Sequence, residues 1–156
     1  TAEYFIKGLV STPLSFFYGS EAFKETESTH LIVQDQDNVA ESIDSDIVVL
    51  ASDPINHLKH IEIPRYMRFT EIMQKIAEKS RIACLNIAGH DKIQIDVRTS
   101  KASIACYPGT QTLYVIPAPT DLENTYLALE VDVDQLCEVI RALRRDQVEI
   151  LFIHDY

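Results

Sequence analysis

Residues 126–154 read YLALEVDVDQLCEVIRALRRDQVEILFIH, and this stretch decides the fold class. The pattern of Thr125–Val131, at its start and including the residue before it, predicts a strand. Asp132 then leads into a predicted amphipathic helix over Val133–Asp146. Glu149–His154 returns as a second strand. Because a strand–helix–strand unit with tight joints forms a right-handed crossover, the two strands are expected to run parallel or nearly so.

Upstream of this unit, after Ser80, the apolar residues recur with a period of two, which predicts strands rather than helices. The connectors between these strands are mostly short and rich in Gly, Pro, Asp and Ser. Short connectors favour an antiparallel meander, here over about residues 81–131. The expected strands are Arg81–Ala88, Ile93–Arg98, Ala102–Tyr107, Gln111–Ile116 and Thr125–Val131.

The N-terminal half alternates short strands with short helices. Ile47–Ala51 is a continuous β-branched and apolar run, typical of a strand covered on both faces. Asp53-Pro54 fits a helix N-cap followed by proline, which predicts a helix to about His60. The other expected strands are Tyr4–Val10 and His30–Gln34, and the other expected helices are Asn38–Ile43, with Asn38 and Glu41 spaced as a capping box, and Phe69–Lys79.

These elements predict an α+β protein that forms a single domain over residues 1–156. We expect a mixed sheet with a central antiparallel meander, a C-terminal strand–helix–strand unit and three helices packed on the sheet. At 156 residues the chain is long enough to bury a real core. The sequence shows no internal repeat, low-complexity tract or linker.

Charge is the feature that bears most directly on function. The net charge is −10, and the segment from Glu21 to Asp53 carries nine carboxylates against a single basic residue, Lys24. Binding to nucleic acid or to an anionic membrane surface needs a cationic footprint, so both are disfavoured. Residues 65–119 are mildly basic and are expected to lie against their acidic neighbours. A cationic protein is the partner that the acidic segment favours.

The cysteine pattern indicates a reducing compartment. Cys84, Cys106 and Cys137 are odd in number, lack metal-type spacing and lie in apolar surroundings, which is typical of buried free thiols. No apolar run reaches the ~20 residues that span a bilayer, and no leader precedes the first strand. The cytoplasm is therefore the expected location.

We interpret the chain as a non-enzymatic module that captures or inhibits a basic protein, in the manner of an immunity protein or a chaperone. Carboxylates would occlude the partner's basic groups, while an exposed aromatic side chain beside them would provide an apolar anchor. A solvated acidic face without a dedicated partner is the simpler alternative. The predicted partner-binding residues are Phe17, Tyr18, Glu21, Glu25, Glu27, Asp35, Asp37, Glu41, Asp44 and Asp46.

A small enzyme or ligand-binding domain is the rival interpretation. Its pocket would lie near Asp53 and His57, where a strand ends, or near His90 in a probable turn. His57 and His60 would share a helix face, but nothing nearby completes a metal site except Glu62. The sequence contains no catalytic signature, so no cofactor is expected. A homodimer formed through an exposed edge strand remains an open alternative.

Overall fold

The computed structural model describes residues 27–100, 107–121 and 123–155, and its strands form two antiparallel four-stranded sheets. The chain is therefore α+β, as the sequence predicts. The predicted strand Tyr4–Val10 and all but the last residue of Ala102–Tyr107 lie outside the described residues. The helices are α1 (Ala40–Ile43), α2 (Tyr66–Ala77) and α3 (Leu136–Arg145), and the strands are β1 (Ser28–Asp35), β2 (Val48–Asp53), β3 (Leu58–Pro64), β4 (Ile82–Ile87), β5 (Lys92–Thr99), β6 (Thr110–Pro117), β7 (Thr125–Asp132) and β8 (Glu149–Ile153).

The sheet arrangement differs from the expected single mixed sheet. The first sheet has the order β2-β3-β1-β4 and the second has the order β6-β7-β5-β8. Strands β4 and β5 join different sheets, although Ala88 and Gly89 between them have positive φ angles of 49° and 84° and form a tight turn bridged by Ile87 and His90. Strands β7 and β8 do run parallel, but each pairs with β5, which lies between them.

The two sheets are copies of one topology, a repeat that the sequence analysis missed. Apart from the four-residue helix α1 between β1 and β2, the described residues of each unit run strand, strand, strand, helix, strand, and both units have the same strand order. The registers also correspond, since the pair Leu31–Ile61 of the first unit matches Ile95–Leu129 of the second. Both outer strands, β2 and β6, contain a register shift at which one leucine has no paired residue on the neighbouring strand. These leucines are Leu50 in β2 and Leu113 in β6. The repeat therefore extends to local irregularities.

The helices α2 and α3 hold the two units together. Each buries at least four apolar side chains with the spacing of one helix face, and the two helices contact each other. Each also packs against the last strand of the other unit, α2 against β8 and α3 against β4. Buried residues of both sheets consequently form one cluster. The helix residues in it include Phe69, Ile72, Met73 and Ile76 from α2, and Leu136, Val139, Ile140 and Leu143 from α3.

Polar contacts reinforce the junction between the units. The Thr70 hydroxyl accepts a hydrogen bond from the backbone N–H of Ile153 at 2.9 Å. The Arg65 guanidinium donates to both carboxylate oxygens of Asp155, at 2.8 Å from Nε and 3.3 Å from the terminal nitrogen. A paired arginine–carboxylate contact of this kind fixes orientation as well as position. The end of the chain is thereby tied to the start of α2.

The predicted helix between Pro54 and His60 is wrong, because the residues form the hairpin between β2 and β3. The Asp53 carboxylate accepts hydrogen bonds from the backbone N–H groups of Ile55 and Asn56, at 3.0 and 3.3 Å. These bonds make an Asx turn, which competes with a helix start for the same residue types. His57 then takes a positive φ of 56°, and β3 begins.

Two further expectations are corrected at β2 and α1. Strand β2 was expected to be covered on both faces, but it is an outer strand, and Val48 and Leu50 are about half exposed. Helix α1 does not use the predicted capping box. Instead the Asp35 carboxylate accepts hydrogen bonds from the N–H groups of Val39 and Ala40, at 3.1 and 2.8 Å.

Candidate functional site

The predicted partner-binding residues divide into two groups. Phe17, Tyr18, Glu21 and Glu25 lie outside the described residues. The remaining six lie at the start of β1, at its end, and on the connection through α1 into β2. They are Glu27, Asp35, Asp37, Glu41, Asp44 and Asp46.

Asp44 and Asp46 are held by basic side chains of α2. The guanidinium of Arg68 lies 2.6 Å from Asp44 and 2.8 Å from Asp46, and the ammonium of Lys75 lies 2.6 Å from Asp44. The pKa of Asp44 is lowered, first by the hydrogen bond from Lys75 and then by one from the backbone of Asp46. Asp44 is buried, so its main role is to attach the α1 connection to α2.

The carboxylates nearer β1 are also paired. Asp35 is buried and lies 3.0 Å from the ammonium of Lys59, and Asp37 lies 2.9 Å from the guanidinium of Arg81. Burial acts to raise the pKa of Asp35, but its hydrogen bonds from Ala40 and Lys59 outweigh that effect and the pKa is lowered. Glu41 is mostly exposed, 4.0 Å from the same ammonium. Much of the acidic charge is therefore neutralised within the molecule.

The longest run of consecutive exposed apolar side chains on the described residues lies instead on β6. Four consecutive side chains of this strand are 45 to 57 % exposed, namely Leu113, Tyr114, Val115 and Ile116. Because successive side chains of a strand point to opposite faces, both faces of β6 are open. Strand β7 covers one edge of β6, and its other edge has no partner strand among the described residues.

Strand β6 carries none of the charges that commonly protect an outer strand. Natural edge strands commonly carry lysine or other charges that discourage pairing with another chain. The sequence of β6, TQTLYVIP, has no charged residue, and only the register shift at Leu113 and the terminal Pro117 interrupt it. The loop that follows carries two exposed carboxylates, Asp121 and Glu123. An unpaired backbone edge with apolar side chains can add a strand from another chain.

A cavity of about 400 Å³ lies at the end of the first sheet, which we call the Lys59 cavity. It contains the Asp53 and His57 that the sequence analysis assigned to an alternative pocket. It also contains Asp35 and Asp37, from the predicted partner-binding group. Its walls come from the β1–α1 connection and the β2–β3 hairpin, residues Asp35–Asn38, Ser52–Pro54 and His57–Lys59.

A second, shallower cavity of about 290 Å³ lies at the opposite end of the same sheet. It brings together Glu27 and Asp46, two predicted partner-binding residues, with Glu62, whose carboxylate accepts a hydrogen bond from the Ser28 hydroxyl. Its walls are mainly apolar, including Val48 of the outer strand β2. The sequence analysis considered Glu62 only as a metal ligand.

The histidines singled out by the sequence lie in the β2–β3 hairpin, on β3 and in the turn after β4. His90 lies in a turn, where its N–H donates to the carbonyl of Ile87 at 2.8 Å. His60 lies on β3, and its ring meets that of His30 with 3.0 Å between Nε2 and Nδ1. Within residues 27–100, 107–121 and 123–155, no group of three or more His, Cys, Asp or Glu side chains could hold a metal ion.

Lys59 and the exposed surface of β6 do not follow from the sequence, for two different reasons. Lys59 was placed on a helix, so its position on the core side of β3 was not foreseen. Strand β6 was predicted over Gln111–Ile116, but a run of four apolar residues ordinarily indicates a strand buried on both faces. The absence of any charge between Thr110 and Pro117 was compatible with either arrangement.

Comparisons with protein-family models, with curated proteins and with solved structures found no match to this chain. Across the described part of the chain, no helix is both long enough and apolar enough to cross a bilayer.

Proposed function

We propose that the protein is a non-enzymatic module that binds a basic partner protein, and that the partner docks by adding a strand to the outer edge of β6. The observation that carries the proposal is the exposure of four consecutive apolar side chains on a strand without charged residues. Main-chain hydrogen bonds along the edge would supply affinity, and the side chains of β6 would supply specificity.

The charge of the molecule favours a different protein over a second copy. Every copy of this chain carries a net charge of −10, so two copies repel each other at long range. A cationic partner is attracted instead, which speeds association and excludes acidic competitors. The loop between β6 and β7 carries two exposed carboxylates, Asp121 and Glu123, which would attract basic residues of the partner.

The acidic segment keeps a part in this proposal. Glu41 is mostly exposed, and Glu27 lines the shallow cavity near β2. These carboxylates, together with the predicted Glu21 and Glu25, would add a second, electrostatic contact, and the predicted Phe17 and Tyr18 would add an apolar anchor beside it. The ion-paired residues Asp35, Asp37, Asp44 and Asp46 would act mainly by shaping the scaffold, because their basic neighbours already share their charge.

Site-specific cross-linking tests the docking surface directly. A photoreactive phenylalanine analogue at Val115 is activated in a lysate of the native source, at low and at physiological salt. The matched control carries the analogue at Leu85, which is also partly exposed but lies on β4. We expect a basic protein to be linked through position 115 only, with a lower yield at the higher salt concentration.

The mass of the product separates the alternatives. A cross-linked second copy would favour the homodimer over the basic partner. Equal products from positions 115 and 85, or none from position 115, would contradict docking on β6.

A further inference from the structure

Two histidine rings meet on the outer face of the first sheet. His30 lies on β1 and His60 on β3, and 3.0 Å separates Nδ1 of His30 from Nε2 of His60. Their neighbours Leu31 and Ile61 point into the core, so both imidazoles lie on the opposite face of the sheet. His30 is exposed and His60 is half-buried, and ions from solvent can therefore reach the pair.

The repeat shows that the sheet forms without these two imidazoles. Because the pair Leu31–Ile61 corresponds to Ile95–Leu129, Gln94 stands in the second unit where the first has His30. In the same way Ala128 stands where the first unit has His60. An amide and a methyl group serve the outer face of the second sheet at the same two positions, so the histidines are not a requirement of the fold.

The contact between the rings is a hydrogen bond in which one imidazole donates to the other. A neutral pair carries one proton on each ring. The proton between the rings can move through water to the other nitrogen of its own ring, and each of the two facing nitrogens then has a lone pair. A neutral imidazole nitrogen with a free lone pair is the commonest metal ligand in proteins.

The spacing of the two nitrogens suits neighbouring ligands of a single ion. Imidazole nitrogens bind transition metals at about 2.0–2.1 Å, so nitrogens 3.0 Å apart subtend an angle of about 90–95° at the metal. Square-planar and tetragonal sites of Cu²⁺ and Ni²⁺ have such right angles. Zn²⁺ is tetrahedral and takes three or four protein ligands. Zn²⁺ is disfavoured, because within residues 27–100, 107–121 and 123–155 no third His, Cys, Asp or Glu side chain completes such a set.

We infer that His30 and His60 form a two-histidine site for Cu²⁺ or Ni²⁺, with water at the remaining coordination positions. Glu62 lies directly across the sheet from His30 and adds a negative charge beside the ion. The Ser28 hydroxyl donates to the Glu62 carboxylate, which helps to hold it in place. The site lies on the first sheet and is independent of docking on β6.

An NMR titration with Ni²⁺ tests the site, since this paramagnetic ion broadens the signals of nearby amides. We expect saturable broadening of the amides of Leu31 and Ile61. An excess of Mg²⁺, which prefers oxygen ligands, should not displace the nickel. The matched control is His57→Gln, which removes a histidine of the β2–β3 hairpin and should leave the titration unchanged.

The double variant His30→Gln/His60→Ala copies the second unit and provides the decisive comparison. It should keep a dispersed spectrum and bind Ni²⁺ at least about tenfold more weakly. If it does not fold, the single variant His30→Gln, at an exposed position, serves instead. Unchanged broadening in the folded variant would overturn the inference, and so would displacement of the nickel by Mg²⁺. An absence of broadening in the unaltered protein would leave a hydrogen-bonded pair only and would overturn it as well.

Discussion

Replacing Val115 by lysine is the perturbation that most clearly separates docking on β6 from capture by the acidic segment. The substitution places a charge in the middle of an apolar edge, the device that natural edge strands use against unwanted pairing. Val115 is 57 % exposed, so the folded protein should tolerate the change, with an effect on the free energy of unfolding within about 0.5 kcal/mol.

The loss of binding free energy expected for Val115→Lys can be estimated from the exposed fraction of Val115. Fully burying a side chain of this size contributes about 1.5–3 kcal/mol. Slightly more than half of Val115 remains to be buried, so about 1–1.5 kcal/mol is available from this residue. Desolvation of the new ammonium adds a penalty of about 1 kcal/mol or more. The sum corresponds to a dissociation constant raised about 30- to 100-fold.

Calorimetric titration of the cross-linked partner, once isolated, measures this change. The matched control is Leu50→Lys, which introduces the same charge on the outer strand β2, at 46 % exposure. The control changes the net charge by the same amount but lies outside β6. It should therefore bind with an affinity within about threefold of that of the unaltered protein. Equal weakening by both variants would show that net charge, and not the β6 edge, governs affinity, and would refute the reasoning.

Three further outcomes concern the scaffold. Asp44→Asn should lower the free energy of unfolding by about 1–2 kcal/mol in urea titrations, because buried hydrogen bonds to two basic side chains are lost. The pKa of Asp44 is lowered in the folded protein, so the stabilisation by its ionised carboxylate should be fully present above the ordinary pKa of 3.8 and should be lost as the pH falls through the native pKa. A destabilisation by Asp44→Asn that is the same at pH 7 and at pH 2 would contradict this. Cys84 and Cys137 should not react with a thiol reagent until urea unfolds the chain, because burial raises the pKa of both; rapid modification of either in the native protein would be the opposite result. Gly109→Ala should destabilise more than Gly89→Ala, since both have positive φ but only the first would place a Cβ 2.7 Å from another side chain; equal midpoints in thermal melts would disprove the close approach.

The fold class could be predicted because the decisive signals are local. The apolar period of the α3 segment and the alternation in β5 each follow from neighbouring residues, and both elements are present with shifted ends. The division into two sheets could not be predicted in the same way. It depends on which strands pair at long range, and the turn at Ala88 and Gly89 reads equally well as a hairpin within one sheet.

The repeat was hidden by side-chain chemistry at equivalent positions. Lys59 in the first unit corresponds to Leu127 in the second, so a comparison of residue types finds little in common. The Asp53-Pro54 pair is compatible with two local structures, a helix start and an Asx turn. The alternation of Lys59, Ile61 and Ile63 is the feature that favours strand β3 over a helix. The burial of acidic residues such as Asp44 could not be predicted from the sequence either. The basic partners of Asp44 come from α2, so the pairing depends on long-range contacts.

Hydrogen exchange along β6, measured with and without the bound basic partner, tests the central claim most directly. Strand addition places new backbone hydrogen bonds on the outer edge of residues 110–117, so exchange of the outward N–H groups should slow by at least tenfold when the partner is bound. The amides of β2, the corresponding outer strand of the first unit, should be unaffected. Slowed exchange confined to residues 35–46, with β6 unchanged, would contradict docking on the edge and return the binding site to the acidic segment.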